Sequence, residues 1–295
     1  MSFRVLVVGS RGRLGAALVR AWTQRGEAVR GLGREALDIR NEAALRAALD
    51  GWDFDVLVNC AALTNVDYCE GNPQEAFEVN ARAVGVMAAV CAEKGRRCIH
   101  ISTDYVFGGD QRRPYTEEDR AEPCSHYGRA KLAGEQLLLA ASAAHLAVRV
   151  SWVFGPDRRS FLDQVLERAC TQDRVEAVAD KVAVPTSTLE AADLLHPLLA
   201  AVPAGGVVHL CNAGECTWQQ YGQFALDCAE RAGVGLRARV VEPVPMSAMK
   251  AFVARRPVYS AMATGKLTRL IGRAPRPWQE AVEEYVRGYW RRAQE

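Results

Sequence analysis

The sequence predicts an α/β protein, a doubly wound parallel sheet followed by a smaller, mixed C-terminal lobe. Three observations predict it. Short apolar runs alternate with longer helical patterns through the first half of the chain, as parallel strands returned by helices require. A glycine-rich turn follows the first apolar run and opens a helix directly. Beyond residue 155 this alternation gives way to helical segments separated by proline-containing loops such as Ala183-Val184-Pro185 and Glu242-Pro243-Val244-Pro245. The domains are therefore expected at 1–155 and 156–295, with some of the second stretch crossing back to the sheet.

The first strand is Arg4 to Val8, and it is followed by Ala28 to Gly31, Val56 to Asn59, Cys98 to Ser102 and Leu146 to Val150. Helical patterns at about 13–25, 41–49, 73–95 and 126–144 are long enough to return the chain for a further parallel strand. Right-handed crossovers make a doubly wound sheet the economical topology. The second stretch carries helical segments near 160–170, 189–201, 218–232 and 277–292. The Arg-rich end Arg287…Arg291-Arg292 reads as a solvated helix face.

Composition removes several classes of function. The 295 residues carry 37 Lys+Arg against 35 Asp+Glu, a formal charge of +2, so no global field exists to hold a polyanion and nucleic acid is not an expected partner. No apolar run approaches the length of a membrane span. The first residues enter a strand pattern with no signal-peptide features, so cytoplasmic residence is the expectation. Nine cysteines without a C-x-x-C pair read as reduced packing thiols. Five histidines, His100, His126, His145, His196 and His209, show neither i, i+4 pairing nor H-E-x-x-H, so each reads as structural and no metal site is expected.

Gly9-Ser10-Arg11-Gly12-Arg13-Leu14-Gly15 has the spacing G-x-x-G-x-x-G between a strand and a helix. Glycines there permit the tight turn, the close approach of backbone to a pyrophosphate and tight helix–strand packing, while the helix N-terminus offers free N–H groups. The first domain is thus a dinucleotide-binding unit of the Rossmann type. The run Arg30-Gly31-Leu32-Gly33-Arg34 ends the second strand without the carboxylate that would bind a ribose 2′-hydroxyl. With Arg11 and Arg34 nearby, it suits the 2′-phosphate of NADPH, which is the preferred cofactor, with NADH accepted. Solvated surface is the other reading of these arginines. Asp38-Ile39 can accept from an adenine amino group and pack on its ring, or Asp38 can cap the helix that follows. Asn59-Cys60-Ala61-Ala62 places small side chains at a strand's C-terminal edge, where a cofactor can lie against backbone.

Ser102-Thr103-Asp104-Tyr105 ends the fourth strand, and Tyr127-Gly128-Arg129-Ala130-Lys131 opens a helix. A Tyr-x-x-x-Lys spacing puts both side chains on one helix face. A free phenol has a pKa near 10, and a neighbouring ammonium favours the phenolate and is expected to lower it. Through the glycine loop, Asn59-Cys60-Ala61-Ala62, Thr103 and Tyr127…Lys131, the sequence resembles the extended short-chain dehydrogenase/reductases. It resembles more closely the dTDP-4-dehydrorhamnose reductase family. That likeness rests on Thr64…Asp67…Glu70, Ser102-Thr103-Asp104-Tyr105-Val106-Phe107, Tyr127-Gly128…Lys131-Leu132-Ala133-Gly134-Glu135, Ser151-Trp152-Val153-Phe154-Gly155, Pro185-Thr186 and Arg256-Pro257…Ser260, and reaches from residue 4 to about 290.

The resemblance implies reduction of the C4 ketone of a dTDP-bound 6-deoxy-4-ketohexose, with dTDP-L-rhamnose as the default product. It assigns Tyr127 as proton donor, Lys131 to the ribose and to tuning Tyr127, and the Thr103 hydroxyl to steadying the developing alkoxide. Gly12, Arg13 and Leu14 match the family's phosphate-binding turn; Ala62, Leu63 and Thr64 match its cofactor-contacting loop, and Ile101 joins the cofactor set. Asp104 would contact the sugar and Trp152 would line its pocket, although Trp152 alone reads as core. Arg256 would touch the diphosphate or stand as an exposed loop arginine. Members of the family often dimerise, so a homodimer is an open expectation. Arg11 in place of the usual Thr, Gly108-Gly109 in place of Asp-Gly, and Ser260-Ala261-Met262 in place of Ser-Arg-Leu are departures. The last bears on which 4-keto sugar is used. Two rival readings are a non-catalytic dinucleotide-binding relative, resembling the regulatory subunit of methionine adenosyltransferase, and an epimerase, which would consume no net cofactor.

Overall fold

In the computed structural model, which describes residues 2–200 and 205–290, the alternation resolves in chain order. The first half runs β1 (Arg4–Val8), α1 (Arg13–Gln24), β2 (Ala28–Leu32), α2 (Glu42–Asp50), β3 (Val56–Asn59), α3 (Val66–Gly71), α4 (Pro73–Phe77), α5 (Ala83–Glu93), β4 (Arg97–Thr103), α6 (His126–Ala141) and β5 (Leu146–Val150). The second half adds β6 (Val153–Phe154), α7 (Phe161–Thr171), β7 (Val175–Val178), β8 (Val182–Ala183), β9 (Thr186–Ser187), α8 (Thr188–Ala200), β10 (Gly206–His209), β11 (Cys216–Thr217), α9 (Trp218–Arg231), β12 (Val241–Val244), α10 (Gly265–Ile271) and α11 (Trp278–Tyr285).

The central sheet has the order β2-β1-β3-β4-β5-β10, and all five pairings are parallel. The five strands read from sequence form as expected: β1, β3, β4 and β5 are buried in the middle of the sheet, whereas β2 is an edge strand with no fully buried residue. The sixth, β10, escapes sequence reading: four residues behind a glycine pair carry too little pattern. It arrives from the second half together with α8, whose buried leucines pack against α1. Trp22 of α1 is fully buried in that contact, and its Nε1 donates to the Ala192 carbonyl at 2.9 Å. The remaining second half forms a separate core of Phe154, Leu162, Tyr221, Trp278, Tyr285 and Trp290, between α7, α9 and α11 and beside the parallel pair β7–β12.

The segment predicted as one helix over 73–95 is interrupted by a π-turn at Glu78–Arg82. The inserted residue turns buried Asn80 inward, where its side chain accepts from Leu63 N–H and donates to Leu63 O, each at 2.9 Å. Such π-bulges concentrate at functional sites, and this one clamps the loop that follows β3. Among the described residues no helix is long and apolar enough to cross a membrane. The predicted arginine face at 291–292 lies outside the described residues.

Candidate active site

The sheet order reverses between β1 and β3, and ligands of such sheets bind outside the strand ends at that point. Gly9 stands there with φ +78, and a Cβ on it would lie 2.5 Å from Ala61 N. A Cβ on Gly15 would strike the Gly9 carbonyl. Gly12 precedes helix α1 at the capping position, so the helix has no side-chain cap, and its first turn holds no acidic residue. Arg13 sits instead at the positive end of the helix dipole, an unfavourable arrangement that an anion bound there would relieve. A cleft of about 450 Å³ opens over this turn, lined by Gly9, Arg11, Gly12, Arg34, Asp38, Ile39, Ala61, Ala62 and Leu63. A cradle that any added Cβ would fill, ending at free helix N–H groups, fits the pyrophosphate of a dinucleotide.

Two residues in this cleft escape the sequence reading. The strand end is not without a carboxylate: β2 runs one residue further than predicted, and a turn at residues 33–37 folds Glu35 back over Gly33, where it pairs with Arg11 at 2.5 Å. The acidic group belongs to the next turn, so reading the strand alone misses it. Arg158 reaches in from the second half and donates to the Arg11 carbonyl at 2.5 Å, while Arg13 donates to the Arg158 and Arg159 carbonyls. Asp38 is not the cap of α2, because Asn41 accepts from Ala44 N–H at 3.0 Å in that role. Asp38 is forked instead by the Arg40 guanidinium, which holds its carboxyl down to about 2.

A second cleft, of about 560 Å³, shares Gly12, Cys60, Ala62 and Arg158 with the first. Arg13, Leu14, Thr64, Ile101, Thr103, Asp104, Tyr127, Lys131 and Trp152 line it. Helix α6 is aimed by two caps: Ser125 accepts from Gly128 N–H at 3.2 Å, and Glu70 of α3 accepts from His126 N–H at 3.0 Å. That start points Tyr127 and Lys131 at the C-terminal end of β4. Thr103 Oγ1 donates to Asp104 Oδ1 at 3.1 Å and accepts from Tyr105 N–H. The second oxygen of Asp104 accepts from Ser260 at 2.6 Å. Burial raises the Asp104 pKa, opposed by Lys181 and by the hydroxyls around it. Lys181, also missed from sequence, is fully buried, donates to the Pro257 carbonyl at 2.7 Å and lies over the Tyr105 ring.

The expectation that Lys131 lowers the phenol pKa does not hold for this arrangement. Burial raises the Tyr127 pKa, with only the neighbouring Thr103 hydroxyl opposing it. Lys131 is itself 1% exposed, and its Nζ is engaged by the Ile101 carbonyl at 2.7 Å and by His100 Nε2 at 2.9 Å. Burial pushes its pKa down to about 8. Trp152 resolves as both wall and packing: it lines the cleft while its ring stacks on Tyr221. It has φ +40, a strained conformation for an L-residue of the kind that clusters at functional sites. Arg256 lines neither cleft. Its guanidinium is forked onto Asp67 at 3.0 and 2.6 Å and lies 3.7 Å over the Phe252 ring, fastening the 252–256 loop to α3. Cys60 lines both clefts, but burial pushes its thiol up to about 12, so it is no nucleophile near neutrality. Among the described residues no group of three or more His, Cys, Asp or Glu converges on a common point.

Comparison with known proteins agrees with this geometry. The model of the family described as RmlD substrate binding domain matches residues 3–290. A dTDP-4-dehydrorhamnose reductase of Mycolicibacterium smegmatis is 36% identical, over 97% of this chain and 86% of its own. A Streptomyces antibioticus protein named "Probable dTDP-4,6-dihydroxy-2-methyloxan-3-one 4-ketoreductase" is also 36% identical, over 95% and 94%. The crystal structure of dTDP-4-dehydrorhamnose reductase from Bacillus anthracis in complex with NADP superposes with a TM-score of 0.87 at 26% identity, covering 97% of this chain and 98% of that one. With its glycine cradle, its Thr103, Tyr127 and Lys131 around one cleft, and relatives matched from end to end, the chain belongs to the dTDP-4-dehydrorhamnose reductase family.

Proposed function

We propose that the protein is an oxidoreductase that reduces the C4 ketone of a dTDP-4-keto-6-deoxyhexose, converting dTDP-4-dehydrorhamnose to dTDP-L-rhamnose. NADPH is its preferred cofactor and NADH is accepted. The observation that carries this reading is the junction of the two clefts at Gly12, Ala62 and Arg158, with Thr103, Tyr127 and Lys131 just beyond it. Reduced nicotinamide, when bound, supplies the hydride. Tyr127 supplies the proton: burial keeps it a phenol at neutral pH, ready to donate to a carbonyl oxygen as charge develops there. The Thr103 hydroxyl, turned from Asp104, gives that oxygen a second donor. Lys131, at the same cleft, holds the ribose. Asp104 and Trp152 contact the sugar. Arg11, Arg13, Arg34 and Arg158 receive the phosphates, and Gly9, Gly15, Asp38, Ile39, Ala61, Leu63, Thr64 and Ile101 shape the cofactor site. Arg256 supports the substrate lobe from outside the cleft.

One observation favours a second substrate within the same class. Ser260, whose hydroxyl holds Asp104, opens the Ser260-Ala261-Met262 segment that departs from the family pattern, and the Streptomyces relative is named for a different dTDP-keto sugar. A panel of dTDP-4-keto-6-deoxy sugars, with loss of reduced-nicotinamide absorbance as the signal and NMR of the product, separates the two. Turnover of the rhamnose precursor fastest supports the first substrate; turnover of another sugar at least tenfold faster supports the second. Cytoplasmic residence and a homodimer belong to the same proposal.

A further inference from the structure

Lys131 belongs to a chain of fully buried polar groups whose other members, Asn59 and His100, the proposed reaction does not use. Asn59, the last residue of β3, accepts from Ala61 N–H through Oδ1 at 3.0 Å, and this contact sets the orientation of its amide. Its Nδ2 then faces His100 Nδ1 at 3.0 Å, and His100 Nε2 faces Lys131 Nζ at 2.9 Å. Asn59 and His100 are both 0% exposed. An amide nitrogen can only donate, so the bond from Asn59 is made when His100 Nδ1 carries no proton. Burial keeps the imidazole neutral, and its one proton is then on Nε2, directed at Lys131. Lys131 can accept it only as a free amine. If Lys131 is an ammonium it donates instead, and the imidazole proton must sit on Nδ1, where it faces the Asn59 amide nitrogen and has only the Asn59 backbone carbonyl beside it as an acceptor. A buried bond lost in this way carries a penalty of order one hydrogen bond.

We infer that His100, held by Asn59, is a positioning residue whose tautomer is coupled to the charge of Lys131: Nε2–H with the amine, Nδ1–H with the ammonium. The Asn59 bond opposes protonation of Lys131 and so bears on the pH at which the lysine is an ammonium. The other groups around Lys131 are Tyr127 and Glu135, one turn away on either side in α6, and Cys60 after β3. Glu135 favours the ammonium, but Arg149 of β5 already holds its carboxylate at 3.0 and 2.7 Å.

The reading rests on the proposed reductase activity only where a rate is measured, so the test has two arms. In the first, ¹⁵N-histidine-labelled resting protein is followed by NMR through the Lys131 titration, with the His100 signal assigned by its absence in His100→Gln. The expected result is a neutral imidazole that changes tautomer from Nδ1–H to Nε2–H as pH rises, and that stays Nδ1–H at every pH in Asn59→Asp. One unchanging tautomer in the unmodified protein overturns the inference, whatever the activity. In the second arm, the fall of kcat with rising pH moves up by about one pH unit in His100→Gln, the equivalent of one hydrogen bond. A Gln carbonyl can accept from the ammonium without a tautomer constraint. A merely structural histidine would lower kcat at all pH values and leave the midpoint in place, which also overturns the inference. Absence of turnover in the unmodified enzyme would refute the reductase reading and leave the NMR arm standing.

Discussion

Tyr127→Phe removes one hydroxyl and keeps the ring. The ring is 8% exposed and packs edge-to-face on Tyr105, with centroids 5.6 Å apart at 74°. Phenylalanine preserves that contact, so the fold loses at most one polar interaction of the hydroxyl, about 1 kcal/mol. For a chain of this size the melting temperature should fall by no more than about 4 °C. Catalysis loses its general acid, worth about 10²–10⁴-fold, or roughly 3–5 kcal/mol of barrier. Steady-state turnover of a dTDP-4-keto-6-deoxy sugar, with cofactor affinity measured in parallel, reads both quantities. The expected outcome is a kcat at least 10² lower with cofactor Kd changed less than about threefold. Turnover within fivefold of the unmodified enzyme would remove Tyr127 from proton transfer and refute the reasoning.

Glu35→Ala should raise the ratio of kcat/KM for NADPH over NADH by about tenfold, because it frees Arg11 for a 2′-phosphate and removes the carboxylate placed for a ribose hydroxyl; an unchanged ratio contradicts this. Burial lowers the Lys131 pKa to about 8, so the ammonium is present below that pH and lost above it, and kcat should fall as pH rises through about 8; a flat profile from pH 6 to about 10 would disconnect Lys131 from the rate. Glu135→Ala strands the Arg149 guanidinium, whose ion pair is 5% and 2% exposed, and should cost roughly 3–5 kcal/mol in chemical denaturation. A loss below about 1 kcal/mol would show that water reaches the pair.

The parallel sheet was legible in sequence because buried strands on both sides of a helix pattern leave no other economical arrangement. The glycine cradle was legible because Gly9 and Gly15 stand where backbone meets backbone. What escaped depended on turns and on contacts distant in sequence. Glu35 reaches the cleft only through the turn after Gly33, and Arg158 enters only because the 155–160 segment lies across the glycine loop. Lys181 and Ser260 meet Asp104 from far along the chain, and periodicity carries no signal of that. His100 reads as an ordinary core histidine in an apolar strand, and only the positions of Asn59 and Lys131 at its two nitrogens distinguish it. Arg256, which the sequence offers as a diphosphate contact or an exposed loop arginine, is buried and paired with Asp67, the geometry of a loop fastener.

The central claim is net reduction at C4 of a dTDP-linked 4-keto sugar. Its most direct test is the stoichiometry of cofactor oxidised to 4-hydroxy sugar formed, with the product identified by NMR after incubation with dTDP-4-dehydrorhamnose and NADPH. The account predicts one cofactor oxidised per sugar reduced, with hydrogen delivered to C4. An isomerised sugar with no cofactor consumed, or an unchanged sugar beside tightly bound cofactor, would contradict it.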